Sequence, residues 1–157
     1  MMTYFLTSSP CCDDGSMTPQ NGMAAELLKA LNADCKALFI ASSPDDVELT
    51  EQHAYDMKAN YEKSGITFSE YILLDRRNQE QAENLVKNAD FIILAGGHVP
   101  TQNAFFHKIH LPGLLKNYDG VVLGISAGSM NMAETVYMQP EEPGESAPEF
   151  QRYAPGL

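Results

Sequence analysis

The stretch "VVLGISAGSMNMAE", residues 121–134, places a serine between two glycines at the spacing G-x-S-x-G. A run of β-branched and aliphatic residues comes directly before it. This pattern is typical of a nucleophile elbow, a sharp turn between a buried strand and a helix that lifts a serine hydroxyl out at the end of a sheet. The small residues Gly124 and Gly128 let neighbouring chains pass close to the turn. Ser126 is therefore the candidate nucleophile.

A nucleophilic serine also needs N–H groups to hold the oxyanion that forms during acyl transfer. The elbow itself supplies the N–H of Ala127, and the end of the preceding strand, "ILAGGH", supplies Gly96 and Gly97. A residue without Cβ lets a substrate approach its amide. The purely structural alternative is that Ser126 caps the following helix and that the two glycines merely make a tight turn.

Short apolar runs alternate with segments of helical period, which is typical of strands joined by crossover helices in a parallel sheet. The pattern predicts an α/β fold of three layers, with a parallel sheet between helices. Because 157 residues are enough for one core and no segment resembles a linker, residues 1–157 are predicted to form a single domain. The predicted strands are residues 3–8, 36–43, 66–74, 90–97 and 120–126, and the predicted helices are residues 19–32, 47–64, 78–88 and a stretch through residue 115 that Pro112 breaks.

Two predicted strands, "FLTSSPCCDDG" and "FIASSPDDVE", both pass into Ser-Ser-Pro and then paired Asp. Serine and aspartate are ordinary turn and capping residues, so this similarity does not indicate an internal repeat. The carboxyl ends of parallel strands are nevertheless where ligands bind in open sheets. Ser9, Asp13 and Asp14 are accordingly weaker candidates for lining a site.

Composition narrows the classes of function. The net charge of −11 and the absence of a basic cluster beyond Arg76-Arg77 argue against a nucleic-acid partner. Apolar runs such as Phe91 to Ala95 are too short to span a bilayer, and the first residues do not form an export signal, so we expect a cytoplasmic protein without a membrane partner.

Three cysteines do not make a disulfide framework, and we expect free thiols. Zinc would need more ligands than the lone pair His107 and His110, which is expected on a helix surface. The sequence therefore predicts neither a metal nor a cofactor.

The segments "FIILAGGHVPTQNAFF" and "VVLGISAGSMNMAE" together resemble the serine peptidase family of aspartyl dipeptidase (dipeptidase E) and cyanophycinase, whose fold is like that of class I glutamine amidotransferase domains. The resemblance implies that Ser126 is the nucleophile and that the amides of Gly97 and Ala127 form the oxyanion hole. It also implies substrate contacts at Gly96 and at the next-but-one position, where His98 stands in place of the family's usual asparagine.

The family's general base is a histidine beyond the elbow, with an acidic residue between serine and histidine. Here all four histidines (His53, His98, His107 and His110) precede Ser126, so the chain resembles the first two-thirds of a family member and is expected to lack the C-terminal part. The acid should fall in "MQPEEPGE", where ungapped spacing favours Glu141 over Glu142.

The resemblance implies a serine peptidase that hydrolyses small aspartyl peptides through an acyl-enzyme on Ser126. One alternative is an inactive fragment or binding module of the same fold, because a serine without a base is a poor nucleophile. An α/β-hydrolase is disfavoured, because the predicted strand order does not begin with the long series of antiparallel strands that this fold has. His98 could act as a substitute base, although it has no obvious orienting carboxylate.

A missing edge would leave the sheet around residues 120–126 exposed, which predicts homo-oligomers through that edge.

Overall fold

The computed structural model describes residues 1–19 and 21–157 and has a sheet of five strands in the order β1-β5-β4-β2-β3. Every neighbouring pair of strands is parallel. The predicted parallel α/β sheet is thus confirmed. Its strands are β1 (Thr3–Thr7), β2 (Cys35–Ile40), β3 (Phe68–Leu74), β4 (Phe91–Leu94) and β5 (Val121–Ile125).

Helices cover both faces of the sheet, because side chains alternate in β2, β4 and β5 and the two faces are both apolar. The helices are α1 (Met23–Ala30), α2 (Val47–Lys63), α3 (Ala82–Asn88), α4 (Val99–Lys108), α5 (Leu111–Leu115) and the short α6 (Ala127–Met130). Leu27 of α1 and Tyr61 of α2 pack on one face. On the other face, α3, α4 and α5 contribute residues such as Phe106 and Leu111. None of the helices described in these residues is both long and apolar enough to cross a membrane.

The observed element boundaries are close to the predicted ones, and the exceptions have local causes. Helix α1 begins at Met23 rather than residue 19, because Gly22 at its N-cap has a positive φ of 74°. The predicted start of this helix includes residue 20, which lies outside the described residues. The helical stretch is broken as predicted, but two residues before Pro112: His110, with a left-handed φ of 57°, separates α4 from α5, and Pro112 lies in the first turn of α5.

Strand β5 lies inside the sheet, between β1 and β4, so the edge expected in the sheet around residues 120–126 is not formed by β5 itself. The exposed edge is its neighbour β1. Tyr4 and Leu6 there are 60% and 51% exposed. The opposite edge, β3, exposes Ser69 and Glu70 instead, which is the usual polar protection of a strand edge.

A two-stranded antiparallel ribbon follows α6, in a segment for which the sequence predicted no strand. It pairs β6 (Thr135–Tyr137) with β7 (Tyr153–Pro155). Val136 and Met138 are buried against Val99 and Ala127, so the ribbon packs on the start of α4 and on the elbow. The final residue, Leu157, donates its N–H to the carbonyl oxygen of Asn131 at 2.9 Å.

Candidate active site

Ser126 has the strained backbone that the elbow pattern predicts. Its φ and ψ are 48° and −108°, values that a residue other than glycine rarely adopts. Its N–H donates to the carbonyl oxygen of Thr7 at 2.8 Å, so β1 holds the residue at the end of β5, and α6 starts immediately afterwards at Ala127. Ser126 is exposed. Strain of this kind costs about 1–3 kcal/mol and persists mainly at functional sites.

The two glycines of the motif are required by close packing. A Cβ on Gly128 would lie 2.3 Å from the carbonyl oxygen of Leu94, and a Cβ on Gly124 would lie 2.9 Å from the backbone of Ser129. Because those neighbours are backbone atoms of the sheet and of α6, they cannot move aside cheaply. The G-x-S-x-G spacing therefore allows the elbow to sit directly on β4.

The Gly96-Gly97 turn after β4 lies beside the elbow. A Cβ on Gly96 would be 3.5 Å from both the Cβ of Ser126 and the carbonyl oxygen of Ile125. Gly97 has φ 150°, and a Cβ there would lie 2.4 Å from Oγ of Ser42. The structure thus places the Gly96-Gly97 turn beside Ser126, and the backbone at position 97 favours glycine. The roles of these residues as oxyanion donors and substrate contacts remain predictions.

Both ring nitrogens of His98 have near neighbours other than Ser126. Nδ1 lies 2.8 Å from Oγ1 of Thr101. Nε2 lies 2.7 Å from Oε1 of Glu145, at salt-bridge distance but without the alignment of a hydrogen bond. The orienting carboxylate that the sequence did not reveal for His98 is therefore Glu145. The ring thus contacts the acidic segment "MQPEEPGE", residues 138–145, and is not hydrogen-bonded to the serine hydroxyl.

Glu145 organises the acidic segment and is the residue that sequence reasoning missed. It is buried, and its Oε2 accepts hydrogen bonds from the N–H groups of Glu141 (2.8 Å) and Glu142 (3.0 Å). These two hydrogen bonds hold the pKa of the Glu145 carboxyl below its ordinary value, and the bond from Glu141 has the larger effect. Nearby His98 lowers this pKa further. The Pro143-Gly144 pair was the available signal, because such a pair turns the chain back on itself.

Glu141, the predicted acid, is exposed, as is Glu142. The carboxylate of Glu141 accepts a hydrogen bond from the side chain of Gln139, in the same loop. The structure therefore does not bring this carboxylate to any of the histidines in the described residues. Its assignment as the acid rests on the family resemblance alone.

His98, Glu142 and Glu145 offer donor atoms that all lie within 4.8 Å of one another and could in principle hold a metal ion. Two ligand atoms on a tetrahedral zinc ion, at about 2.0–2.1 Å each from the metal, are roughly 3.3 Å apart. The 2.7 Å contact between Nε2 of His98 and Oε1 of Glu145 is shorter than that. The other oxygen of Glu145 already accepts two hydrogen bonds. The geometry fits a direct contact between the imidazole and the carboxylate better than a metal site.

A network of hydrogen bonds between buried side-chain amides lies next to α6, the helix that follows Ser126. Nδ2 of Asn131, at the end of α6, donates to Oε1 of Gln102 at 3.0 Å, and Nε2 of Gln102 donates to the carbonyl oxygen of Ala95 at 2.6 Å. Nδ2 of Asn103 donates to Oδ1 of Asn131 at 3.1 Å and to the carbonyl oxygen of Pro155 at 2.9 Å. The network ties the elbow helix, α4, the end of β4 and the terminal ribbon together.

The remaining histidines are spread over the molecule. Nε2 of His107 lies 2.9 Å from the carbonyl oxygen of Pro155, and His110 is exposed at the start of α5. His53 is exposed on α2 and lines a pocket that also contains Gly96. Among the described residues, no histidine is hydrogen-bonded to the hydroxyl of Ser126.

The weaker candidates in the first loop make turn contacts. Oδ1 of Asp14 accepts hydrogen bonds from the side chain and the N–H of Ser16, and these two bonds lower the pKa of the Asp14 carboxyl. The hydroxyl of Ser9 donates to the carbonyl oxygen of Cys11 at 3.4 Å, and Asp13 is exposed. These contacts account for Ser9 and Asp14 without a ligand.

Comparison with solved structures agrees with this architecture. The chain is similar to the crystal structure of a protein from Listeria monocytogenes EGD-e that is provisionally named peptidase E, with a TM-score of 0.66. The match covers 98% of this chain and 73% of the Listeria chain, at 19% sequence identity. No protein-family model matches the chain, and no curated protein sequence matches it either. The two proteins thus share an α/β fold with a mostly parallel central sheet.

Proposed function

We propose that this chain carries the nucleophile and oxyanion hole of a serine peptidase that acts on small peptides. The observation that carries the proposal is the strained Ser126 at φ 48°, directly beside the Gly96-Gly97 turn. A regular helix N-terminus would not need such a backbone. The fold shared with the Listeria protein supports the same class.

In the proposed reaction, Oγ of Ser126 attacks the peptide carbonyl carbon, and the N–H groups of Gly97 and Ala127 hold the oxyanion of the tetrahedral intermediate. Collapse of the intermediate releases the amine and leaves an acyl-enzyme, which water then hydrolyses. One donor in such a hole is worth about 3–4 kcal/mol of barrier. Aspartyl dipeptides are the substrates that the family resemblance favours, and Glu141 is the acid that it favours.

The base is the part of the mechanism that these residues do not supply. The family's histidine follows the elbow, whereas His53, His98, His107 and His110 all precede it. Since a serine hydroxyl without a base is weakly nucleophilic at neutral pH, we expect the 157-residue chain to turn over slowly.

The test is labelling of Ser126 with a fluorophosphonate, followed by hydrolysis assays on dipeptides with N-terminal aspartate. Ser126→Ala should abolish both signals, and Ser9→Ala, a change at an exposed loop serine, should leave them intact. A protein of native fold whose label falls elsewhere, or whose activity survives Ser126→Ala, would overturn the proposal.

A second candidate is a binding module that retains the pocket and does not catalyse. It is favoured by the lack of any described side chain hydrogen-bonded to the Ser126 hydroxyl. Equilibrium binding of aspartyl dipeptides without labelling of Ser126 would support this module over the peptidase.

A further inference from the structure

A pocket of about 300 Å³ lies immediately beside the candidate site, on the face of the sheet that α1 and α2 cover. Phe39, Ala95 and Ile125, at the ends of three adjacent strands, form its floor together with Met57 of α2. Gly96 belongs both to this pocket and to the turn beside Ser126. A group seated in the pocket is therefore next to the position of the reacting carbonyl.

The mouth of the pocket is polar, whereas its floor is apolar. His53 and Asp56, one turn apart on α2, line it and are both exposed. None of the described residues that line the pocket is lysine or arginine. A carboxylate that entered would meet the charge of Asp56 without a permanent cation to balance it, whereas an apolar group would bury its surface on the floor.

We infer that this pocket is the subsite for an uncharged apolar side chain of the peptide substrate, and that Asp56 excludes acidic side chains from it. The inference rests on the proposed function. In an aspartyl dipeptide the aspartyl carboxylate would be repelled here. The pocket consequently takes the side chain of the second residue, the one that leaves as the free amine, and leucine or methionine fits the floor best.

The first test measures binding without chemistry, so that it does not depend on turnover. The Ser126→Ala protein is titrated with N-acetylleucinamide, N-acetylalaninamide and N-acetylglutamic acid amide while amide NMR shifts are recorded. We expect the leucine compound to bind about tenfold more tightly than the alanine compound, since it buries three more carbons. Shifts should appear at Met57, Ala95 and Gly96. Equal affinities, or shifts elsewhere, would overturn the inference.

The second test changes the charge at the mouth. Asp56→Lys should raise affinity for the glutamic acid compound about threefold to tenfold and leave affinity for the leucine compound within about twofold. The matched control is Glu48→Lys on the same helix, about 12 Å further along its axis and not part of the pocket. If both lysine variants act alike, or if Asp56→Lys leaves binding of the glutamic acid compound unchanged, Asp56 does not exclude acidic side chains.

Catalysis separates the two proposals. If Ser126 is not labelled but the leucine compound binds preferentially in the pocket, the peptidase fails and the subsite stands. If Ser126 is labelled and Asp-Leu, Asp-Ala and Asp-Glu are hydrolysed at equal kcat/KM, the peptidase stands and the subsite fails. We expect Asp-Leu to have the highest kcat/KM of the three.

Discussion

The hydroxyl of Ser42 donates a hydrogen bond of 2.7 Å to the carbonyl oxygen of Gly96. This contact joins the loop after β2 to the turn after β4. Because a peptide unit is planar and trans, a carbonyl directed at Ser42 forces the N–H of Gly97 to point the opposite way. Ser42 is thus a positioning residue for the amide that we propose as an oxyanion donor.

Gly97→Ala should destabilise the protein by about 1–3 kcal/mol, because φ 150° is unfavourable for alanine and its Cβ would meet Oγ of Ser42. Urea unfolding measures the change. The control is Gly113→Ala in α5, where a Cβ has no neighbour within 4 Å and the change should be neutral or slightly stabilising. In a Ser42→Gly background the cost of Gly97→Ala should shrink. An unchanged cost would mean that the contact with Ser42 is not the cause.

Ser129→Ala should lower the free energy of unfolding by about 1–3 kcal/mol, measured in urea. The hydroxyl of Ser129 accepts a hydrogen bond from the N–H of Thr7 at 3.0 Å and lies within donating distance of the carbonyl oxygens of Thr7 and Gly124. Its loss leaves a half-buried N–H on β1 without a partner. Ser9→Ala, which removes only a long contact of 3.4 Å, should change stability by less than about 0.5 kcal/mol.

The free energy of unfolding should fall at acid pH, partly because the Glu145 carboxylate becomes protonated. Its carboxyl pKa is lower in the folded protein than in the unfolded chain, chiefly because the N–H of Glu141 donates to it. The stabilisation is thus fully present above the unfolded-state pKa and is lost as pH falls through the folded-state pKa. Glu145→Gln should flatten the acid limb of a stability curve against pH, whereas Glu142→Gln, at an exposed position, should retain it. Parallel acid limbs for wild type and Glu145→Gln would contradict this assignment.

Cys35 should be nearly inert to thiol reagents in the folded protein. Burial is the largest cause that raises the pKa of this thiol, to about 11, so about one molecule in a thousand is thiolate at pH 8. A disulfide reagent should modify the half-buried Cys12 in the native protein and Cys35 only after unfolding. Cys35→Ala should remove the denaturant-dependent thiol alone. Rapid native modification at Cys35 would show that it is accessible.

The β1 edge predicts self-association. Tyr4 and Leu6 are exposed apolar residues on a strand whose outer backbone groups have no neighbouring strand within the described residues. Sedimentation should show dimers or larger species that Leu6→Lys, alone or with Tyr4→Lys, converts to monomer. Tyr55→Lys on α2 is the matched control, since Tyr55 is 59% exposed but lies away from this edge. A wild-type protein that is monomeric at high concentration would refute the prediction.

Local patterns were enough to predict the strand and helix sequence. The interior strands β4 and β5 are unbroken apolar runs, and β2 is apolar from Ala37 to its end. Helix α2 has a clear cap at Asp46, whose side chain accepts a hydrogen bond from the N–H of Leu49 at 3.1 Å. The lateral order of strands cannot be read from local patterns, so the sequence did not show which neighbour of β5 forms the exposed edge, and the structure shows that it is β1. The ribbon was missed because each of its strands is only three residues long and β7 ends in proline.

The elbow could be predicted from the sequence because its geometry demands a particular spacing of small residues. The acidic segment could not, because three glutamates occur within residues 141–145 and composition does not say which carboxylate turns inward. The turn at Gly144 decides this, with φ 92°, and it buries Glu145. The sequence could not predict the amide network either. Gln102 and Asn131 look like ordinary surface residues in sequence and are buried only because of their contacts with other elements.

The position of β1 at the end of the sheet also has a consequence for how the chain folds during synthesis. β1 leaves the ribosome before the other strands of the sheet, yet its partner strand among the described residues is β5, and the N–H of Thr7 bonds to Ser129, 122 residues later. The pairs β2–β3 and β2–β4 can form while synthesis continues, but β1 stays unpaired until β5 has emerged. At about 5–20 residues per second, that interval lasts on the order of ten seconds. During this time the nascent chain presents Tyr4 and Leu6 to chaperones and to neighbouring nascent chains.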